Sequence, residues 1–468
     1  MDAAEAKELF MSLCKNDFSH KTEIIPTTEA TGRILKNAVY AKICCPHYNA
    51  SAMDGIAVKA CDTYNASENS PVFLNENQYT VVDTGDAIPD DKDAVIMVED
   101  ITVGDDKTVK IIASVYPFQN VRQIGEDICM GDMIAPSYTE ITPSLCGAVL
   151  AGGITEVSVI KKPEVVIIPT GDEIVSPRDN PEKGQIIEFN SSIFKGMLKE
   201  WGADVRVHSI VPDKKDLLKK AIKESSENAD AVLVLAGSSA GRDDYTCDII
   251  KELGTVCVHG IAIKPGKPAV LGKIGDTPVV GLPGYPVSAI VVMREIVKDM
   301  ISFLSYKKPK PEQIITAVLG KRIVSSLKYC EFVRVTLGKI GEKYIAIPLP
   351  RGAGIVTSFT KADGIIVVPQ NLEGIDQGEF VEVQLINTES NISDSIIVTG
   401  SHDPIIDEIN DILKIKGYPY SVTSSHVGSM GAINAVKMNQ AHLGGIHLLD
   451  TESGEYNKSY IEKYLQDS

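Results

Sequence analysis

Between Pro163 and Leu304, short apolar runs alternate with amphipathic segments, and no other feature restricts the fold of this chain as much. VVIIPTG, AVLVLAG and PVVGLP read as buried strands, because each is a continuous apolar run rich in Val that closes on Gly or Pro. Helical patterns lie between or after them: SIFKGMLKEWGA, KKDLLKKAIKES, DYTCDIIKEL, and a last one from Val287 to about Leu304. Strands joined by crossover helices imply a mostly parallel sheet. Ligand loops in such a sheet fall at the carboxyl ends of its strands, which is where PTGDE, AGSSAG and GLPG stand.

The flanking texture differs. Residues 2–15 predict an amphipathic helix with Ala6, Leu9, Phe10 and Leu13 on one stripe. From Pro46 to Pro136, short β-rich runs are punctuated by Asp, Gly and Pro, and Ser144–Gly152 is again helical. After a Lys/Pro linker at 307–313, the period-two runs EFVRVTLG, EKYIAIPL, DGIIVVP and EFVEVQL predict a small β-barrel or sandwich. The polar stretch NTESNISDS precedes a last α/β piece. The expected fold class is therefore multi-domain α/β and β. Its domains are a discontinuous helical and linking domain (1–45 and 137–162), a β-rich lobe (46–136), an α/β domain with a mostly parallel sheet (163–306), a small β-barrel (314–388) and a partial α/β extension (396–468).

Composition excludes several functions. With 46 Lys and Arg against 63 Asp and Glu, the formal charge is −17, which repels nucleic acid and anionic membrane. An anionic ligand must then be held by a local site or through a metal. The acidic N-terminus offers no basic, apolar leader pattern, and the uncharged run Thr277–Met293 is interrupted by Pro278, Pro283 and Pro286. Nine cysteines without a CxxC pair suit a reducing compartment and make no zinc site. A soluble cytoplasmic protein is expected.

Several loops could carry chemistry. Thr170-Gly171-Asp172-Glu173 brings two carboxylates to a sheet end, where they suit a hard cation or simply cap a helix. Ala236–Thr246 runs from a strand through small residues into a helix, an anion cradle with Asp243 and Asp244 beside it, or equally a Ser/Asp cap. Lys264-Pro265-Gly266-Lys267-Pro268 misses the P-loop spacing and puts Pro268 where Ser or Thr would bind magnesium. Its two lysines on a stiff turn suit an oxyanion, or make a solvated charge pair. Gly281–Pro286 is a rigid turn leading into a helix, and Asp54-Gly55 alone reads as an ordinary turn.

In their order along the chain, SAMDGIAV, VDTGDAIPDDKDAVIMVED, IIPTGDEIV, GQIIEFNS, AGSSAGRDDYT, KPGKPAVLG, GLPGYPVSA and RGAGIVTSFTKADGIIVVP resemble the molybdopterin molybdenumtransferases, the molybdenum insertase family that includes the gephyrin E domain. The resemblance implies a four-part homodimer that inserts molybdate into adenylylated molybdopterin with release of AMP, assisted by Mg²⁺. It makes Asp244, Glu173 and Asp54 catalytic, with Asp244 and Glu173 also as metal ligands. Substrate-binding roles fall to Thr84, Asn190, Ser239, Lys264, Lys267, Pro283, Pro286, Arg351 and Ser358, with Asp54 and Thr84 entering from the partner subunit. Molybdate or tungstate would be the oxyanion, and the molybdopterin adenylyltransferase a further partner. Arg242 stands where many members carry an acid, and the barrel loop around Ser358 is poorer in serine than the family pattern. Residues 396–468 resemble the opening of a periplasmic-binding-protein-like domain. A non-catalytic scaffold, or a molybdate or tungstate sensor using that segment, is the alternative reading.

Overall fold

The three buried runs become adjacent parallel strands in the computed structural model, which describes all residues except 16–17, 178–179, 237–244, 310, 387–391 and 466–468. The strands are β1 (Glu164–Pro169), β2 (Asp204–Val207), β3 (Ala231–Ala236), β4 (Thr255–His259), β5 (Val270–Ile274) and β6 (Thr277–Pro283). Their spatial order is β2-β1-β3-β6-β5-β4, parallel from β2 to β6 and closed by the antiparallel strands β5 and β4. Strand side chains alternate between faces. Val165, Ile167, Leu233 and Val280 enter one core, while Val166, Ile168, Val232 and Val234 enter the other. Helix α1 (Asn190–Glu200) covers the first face with Phe194 and Leu198. Helices α2 (Lys215–Asn228) and α3 (Thr246–Leu253) cover the second with Leu218, Ile222, Ile249 and Ile250.

The helix Ala3–Lys15 also joins the first core, with Lys7 paired to Asp299 at 2.7 Å. Its buried stripe is Ala6, Phe10 and Cys14, and Leu9 is left 42% exposed, so the predicted stripe is rotated. Packing decides the rotation: the helix turns its one aromatic fully inward, worth roughly 2–3 kcal/mol. Met1–Ser19 accordingly belong to the same compact unit as Lys162–Leu304 and Lys308–Ser468, whereas the sequence reading groups them with 137–162.

His20–Lys161 and Ser305–Lys307 form a second compact unit. There, Thr22–Pro26 pairs antiparallel with Glu156–Ile160. Gly55–Val58 is the centre of a three-stranded sheet between Tyr79–Val82 and Ala94–Met97. The helix Pro143–Ala151 starts with proline in its first turn and a Thr142 hydroxyl accepting from the Leu145 N–H at 3.2 Å.

In the first unit the period-two runs form β7 (Ile314–Leu319), β8 (Cys330–Ile340), β9 (Lys343–Pro348), β10 (Gly364–Val368) and β11 (Phe380–Leu385). Each pairs with two others in the cycle β8-β9-β7-β11-β10-β8, so the sheet closes into a barrel and leaves no sandwich. Val333, Val335, Leu337, Ile366 and Val383 fill it. Beyond the barrel, β12 (Ser395–Gly400) lies between β13 (Ser421–His426) and β14 (Leu443–Gly445), all parallel. Ile397 and Ala441 of this extension pack on Ile345 and Ile347 of the barrel. Among the described residues, no helix is long and apolar enough to cross a membrane.

Candidate functional site

The sheet places two of the predicted loops near one another, since β1 and β6 flank β3 and Ala236 at the end of β3 is in register with Pro283. Thr170 follows β1 and is tied to β3, its buried hydroxyl donating to the Leu235 carbonyl at 2.9 Å. Gly171 has φ +142° and a Cβ there would meet Ile174 at 2.7 Å, so only glycine allows the chain to turn out at this point. Glu173 and Asp172 beyond it are exposed, and the Asp172 carboxylate accepts from the Asp213 N–H at 3.2 Å. Residues 237–244, and with them Ser239, Arg242, Asp243 and Asp244, lie outside the described residues.

Asn190 opens α1 and donates from Nδ2 to the Gly284 carbonyl at 2.9 Å, which fastens α1 to the Pro283–Pro286 turn. Its Oδ1 is buried without a hydrogen-bond partner among the described residues. Pro286 occupies the first turn of the following helix, Pro286–Val292. The Val287 N–H donates to Ala353 at 3.1 Å, drawing the barrel loop that carries Arg351 against this turn.

The lysine turn is docked on the barrel as well. The apolar run VHGIAIK breaks after β4, and Ile263–Lys264 pairs in parallel with Cys330–Glu331 at the start of β8. Lys264 Nζ then lies 2.9 Å from Glu331 Oε1, and Arg351 Nη1 lies 3.1 Å from Glu331 Oε2. The Ser326 N–H adds a third bond to this carboxylate, at 3.2 Å. Glu331 is 2% exposed, so its charge is affordable only because cations from two other segments and a backbone N–H converge on it. Lys267 Nζ lies 5.8 Å from the centre of the Tyr329 ring. Arg334, also buried, donates to Pro350 at 2.8 Å, and burial first, then Arg351, makes its guanidinium easier to deprotonate than usual. Lys264 and Arg351 thus share Glu331, and with Arg334 acting on Arg351 this group carries three cations to one paired acid among the described residues, a net positive spot inside an acidic protein. It suits an oxyanion. Ser358 is buried and donates to Ile355 at 2.6 Å, so its hydroxyl proton is already committed.

Glu331 and Arg334 were not among the expected residues. Their signal in the sequence is a pair of charges inside an otherwise apolar strand, CEFVRVTLG. Such charges need a partner or solvent.

In the second unit, Asp54 and Thr84 meet. Asp54 accepts from the Thr84 N–H at 2.6 Å and from its hydroxyl at 2.8 Å. These bonds, the backbone one first, hold the exposed carboxyl below its usual range, so it is charged at neutral pH. Gly55 follows because a Cβ there would lie 1.9 Å from the Ile96 carbonyl oxygen.

Comparison with known proteins agrees with this organisation. Residues 1–153 match the MoeA N-terminal region (domains I and II), 166–302 a probable molybdopterin binding domain, and 316–386 the MoeA C-terminal region (domain IV). Residues 411–468 match a domain of the periplasmic-binding-protein superfamily. A Methanocaldococcus jannaschii protein assigned to molybdopterin biosynthesis is 36% identical over 79% of this chain and 94% of its own length. The molybdopterin molybdenumtransferase of Haemophilus influenzae is 30% identical over 79% of this chain and 95% of its own. The crystal structure of a molybdopterin biosynthesis MoeA protein from Pyrococcus horikoshii superposes with a TM-score of 0.70 at 32% identity, over 83% of this chain and 99% of that one. With relatives at 30% identity or more over 79% of the chain and MoeA regions matched in sequence order, the chain belongs to the MoeA family, the molybdopterin molybdenumtransferases.

Proposed function

We propose that this chain is a molybdenum insertase, which transfers molybdenum from molybdate to adenylylated molybdopterin and releases AMP. The observation that carries the reading is the Lys264–Glu331–Arg351 bridge, which fixes a cation of the α/β domain beside one of the barrel. Lys264, Lys267 and Arg351 hold the oxyanion and the pterin phosphate. Glu331 orients two of them from behind. Asn190 and the Pro283–Pro286 turn form the wall of the same cleft, and the buried Asn190 Oδ1, without a hydrogen-bond partner among the described residues, would accept from a ligand donor. Ser239, in the small-residue stretch AGSSAG, would contact the phosphate.

The donor set fits Mg²⁺ better than a soft metal. No group of three or more His, Cys, Asp or Glu converges among the described residues, whereas magnesium needs only one or two carboxylates plus substrate phosphate. Exposed Glu173 would hold it with Asp244. When bound, the ion offsets repulsion between these acids and the substrate and polarises the phosphoanhydride. The working form is a homodimer in the cytoplasm, where Asp54 and Thr84 of the partner subunit complete the cleft. The molybdopterin adenylyltransferase is the supplier of the substrate.

The test is anaerobic incubation of the chain with adenylylated molybdopterin, molybdate and Mg²⁺, scored by AMP release and cofactor formation. Asp244→Asn should lower AMP release by orders of magnitude while binding of the adenylylated substrate without metal survives. Lys267→Ala should weaken anion binding more than it alters metal dependence. A parent chain that binds molybdate yet releases no AMP would overturn the reading in favour of a scaffold or sensor.

A further inference from the structure

The insertion chemistry leaves Cys44 and Cys129 of the second compact unit unused, and the fold of that unit sets them face to face. The two segments that carry them run antiparallel in one register: Tyr40 stands opposite Met133 at one end, and Cys45 opposite Ile128 at the other. The same register puts Cys44 opposite Cys129. Cys45 and Ile128 exchange both backbone bonds, the Cys45 N–H donating to Ile128 at 2.8 Å and the Ile128 N–H to Cys45 at 3.1 Å. Theirs is a hydrogen-bonded pair. The next position along an antiparallel ladder is of the other kind, in which the Cα atoms approach to about 4.5 Å. Disulfides span Cα separations of about 4.4–6.8 Å.

The sulfurs converge as this backbone implies. The Met130 N–H donates to Cys44 Sγ at 3.3 Å, so that sulfur reaches across to the residue after Cys129. Cys129 Sγ donates to the Gly125 carbonyl, also at 3.3 Å. A Cβ on Gly125 would lie 2.7 Å from Cys129 Sγ and 3.7 Å from Cys44 Sγ, so the two sulfurs flank one point. Only glycine, here at φ +74°, leaves that point open. Cys129 is exposed and Cys44 half-buried, which gives a small reagent one thiol to meet first. No group of three or more His, Cys, Asp or Glu converges among the described residues, so the pair lacks the ligands of a zinc site.

We propose that Cys44 and Cys129 form a reversible redox pair, closed by low-molecular-weight disulfides of the glutathione class. The Cys129 thiolate attacks one sulfur of the small disulfide, breaks its S–S bond and releases one thiol, leaving a mixed disulfide. Cys44, having lost its proton, then attacks Cys129 Sγ and expels the second thiol. The protein gives up two protons and two electrons as one S–S bond forms, and the small disulfide takes them up as two thiols. In a reducing compartment such a bond is transient and registers oxidation rather than building the fold. It staples the ribbon that leads to Asp54: Ala50–Ser51 pairs antiparallel with Val121–Arg122, and the Gly85 N–H, next to Thr84, donates to Ser51 at 2.8 Å.

The test is incubation of the full chain with oxidised glutathione at pH 8, then alkylation, non-reducing digestion and mass spectrometry. Parent, Cys44→Ser, Cys129→Ser and Cys61→Ser chains are compared. Parent and Cys61→Ser should both yield a peptide linked through Cys44 and Cys129, which dithiothreitol reopens. Cys44→Ser should stop at a glutathione adduct on Cys129, and Cys129→Ser should leave Cys44 without its link. The closed parent should melt roughly 5–10 °C above the reduced one, because the bond closes a long loop, and neither single variant should show that shift. A parent that stops at glutathione adducts, that links either cysteine to a different one, or that shows no change at Cys44 would overturn the proposal. The parent alone decides these outcomes should a variant not fold. AMP release does not enter the readout, so failure of the insertase reading registers separately.

Discussion

Glu331 and Asp54 are the carboxylates around which the two compact units arrange their candidate residues, and they are held in opposite ways. Glu331 is buried and surrounded by Lys264, Arg351 and the Ser326 N–H, groups drawn from three stretches of chain. Asp54 is exposed and held by one residue, Thr84. A buried charge requires long-range partners, so it binds segments together and sets the shape of a site. An exposed charge is already solvated, so local bonds need only aim it and keep it ionised. The first arrangement is structural with a functional consequence; the second is available for chemistry.

The largest effect that could break this contrast is on turnover. Asp54→Ala should reduce AMP release about 100-fold or more and leave the melting temperature unchanged, as expected of a reacting group that carries no packing. A parallel loss of melting temperature and activity would make Asp54 structural instead. Mixing Asp54→Ala chains with Asp244→Ala chains should restore part of the activity if the cleft is shared between protomers.

Stability should respond at Glu331. Removing Lys264 and Arg351 together strands a buried carboxylate, and urea denaturation should show a loss of about 3 kcal/mol. Glu331→Gln should cost less, about 1–2 kcal/mol, because both cations are partly exposed and can turn to water. The reverse order would show that the cations, not the acid, are the buried partners.

A smaller effect sharpens the description of Asp54. Its folded carboxyl titrates below the unfolded value of about 3.9, so the associated stabilisation is present above that pH and is lost as pH falls through the folded value. Neutral pH should leave it untouched. In a carboxyl NMR titration, Thr84→Val should raise the midpoint only in part, since the backbone N–H, the larger cause, remains. A midpoint that returns fully to the ordinary range would assign the effect to the hydroxyl.

The least perturbing check uses thiols. Burial, then Cys257, pushes the Cys14 thiol up to about 12, whereas Cys61 and Cys129 are exposed. Alkylation at pH 8 followed by mass spectrometry should modify Cys61 and Cys129 first and leave Cys14 intact. Early modification of Cys14 would mean that the helix Ala3–Lys15 is not packed on the α/β core.

Much of the fold was legible because its strands are continuous apolar runs, which carry their own burial signal. The closed barrel was only half legible: period two identifies strands, but a sandwich and a barrel share that period. The closed cycle of pairings, in which each of the five strands has two partners, distinguishes them. At the site, the loops of Glu173, Pro283 and Lys264 were recognisable from turn residues at strand ends. Glu331 and Arg334 were harder to place: three residues apart, they point to opposite faces of the strand, so their charges signal a need for partners without naming which segment supplies them.

The sequence alone determined most of the strands and helices, that the turns after Pro169 and at Pro283–Pro286 sit at the carboxyl ends of parallel strands, and, through eight ordered motifs, the family. Those are local properties, set by side-chain volume, branching and periodicity along a few turns or residues. Only the tertiary structure decided that the helix Ala3–Lys15 packs with the α/β core and that Ile263–Lys264 leaves its sheet for the barrel. It alone brought Lys264 to Glu331, 67 residues away along the chain. The reason is physical: a periodic pattern specifies that a face must be buried or a charge paired, but the partner is whatever distant segment packing delivers to that place.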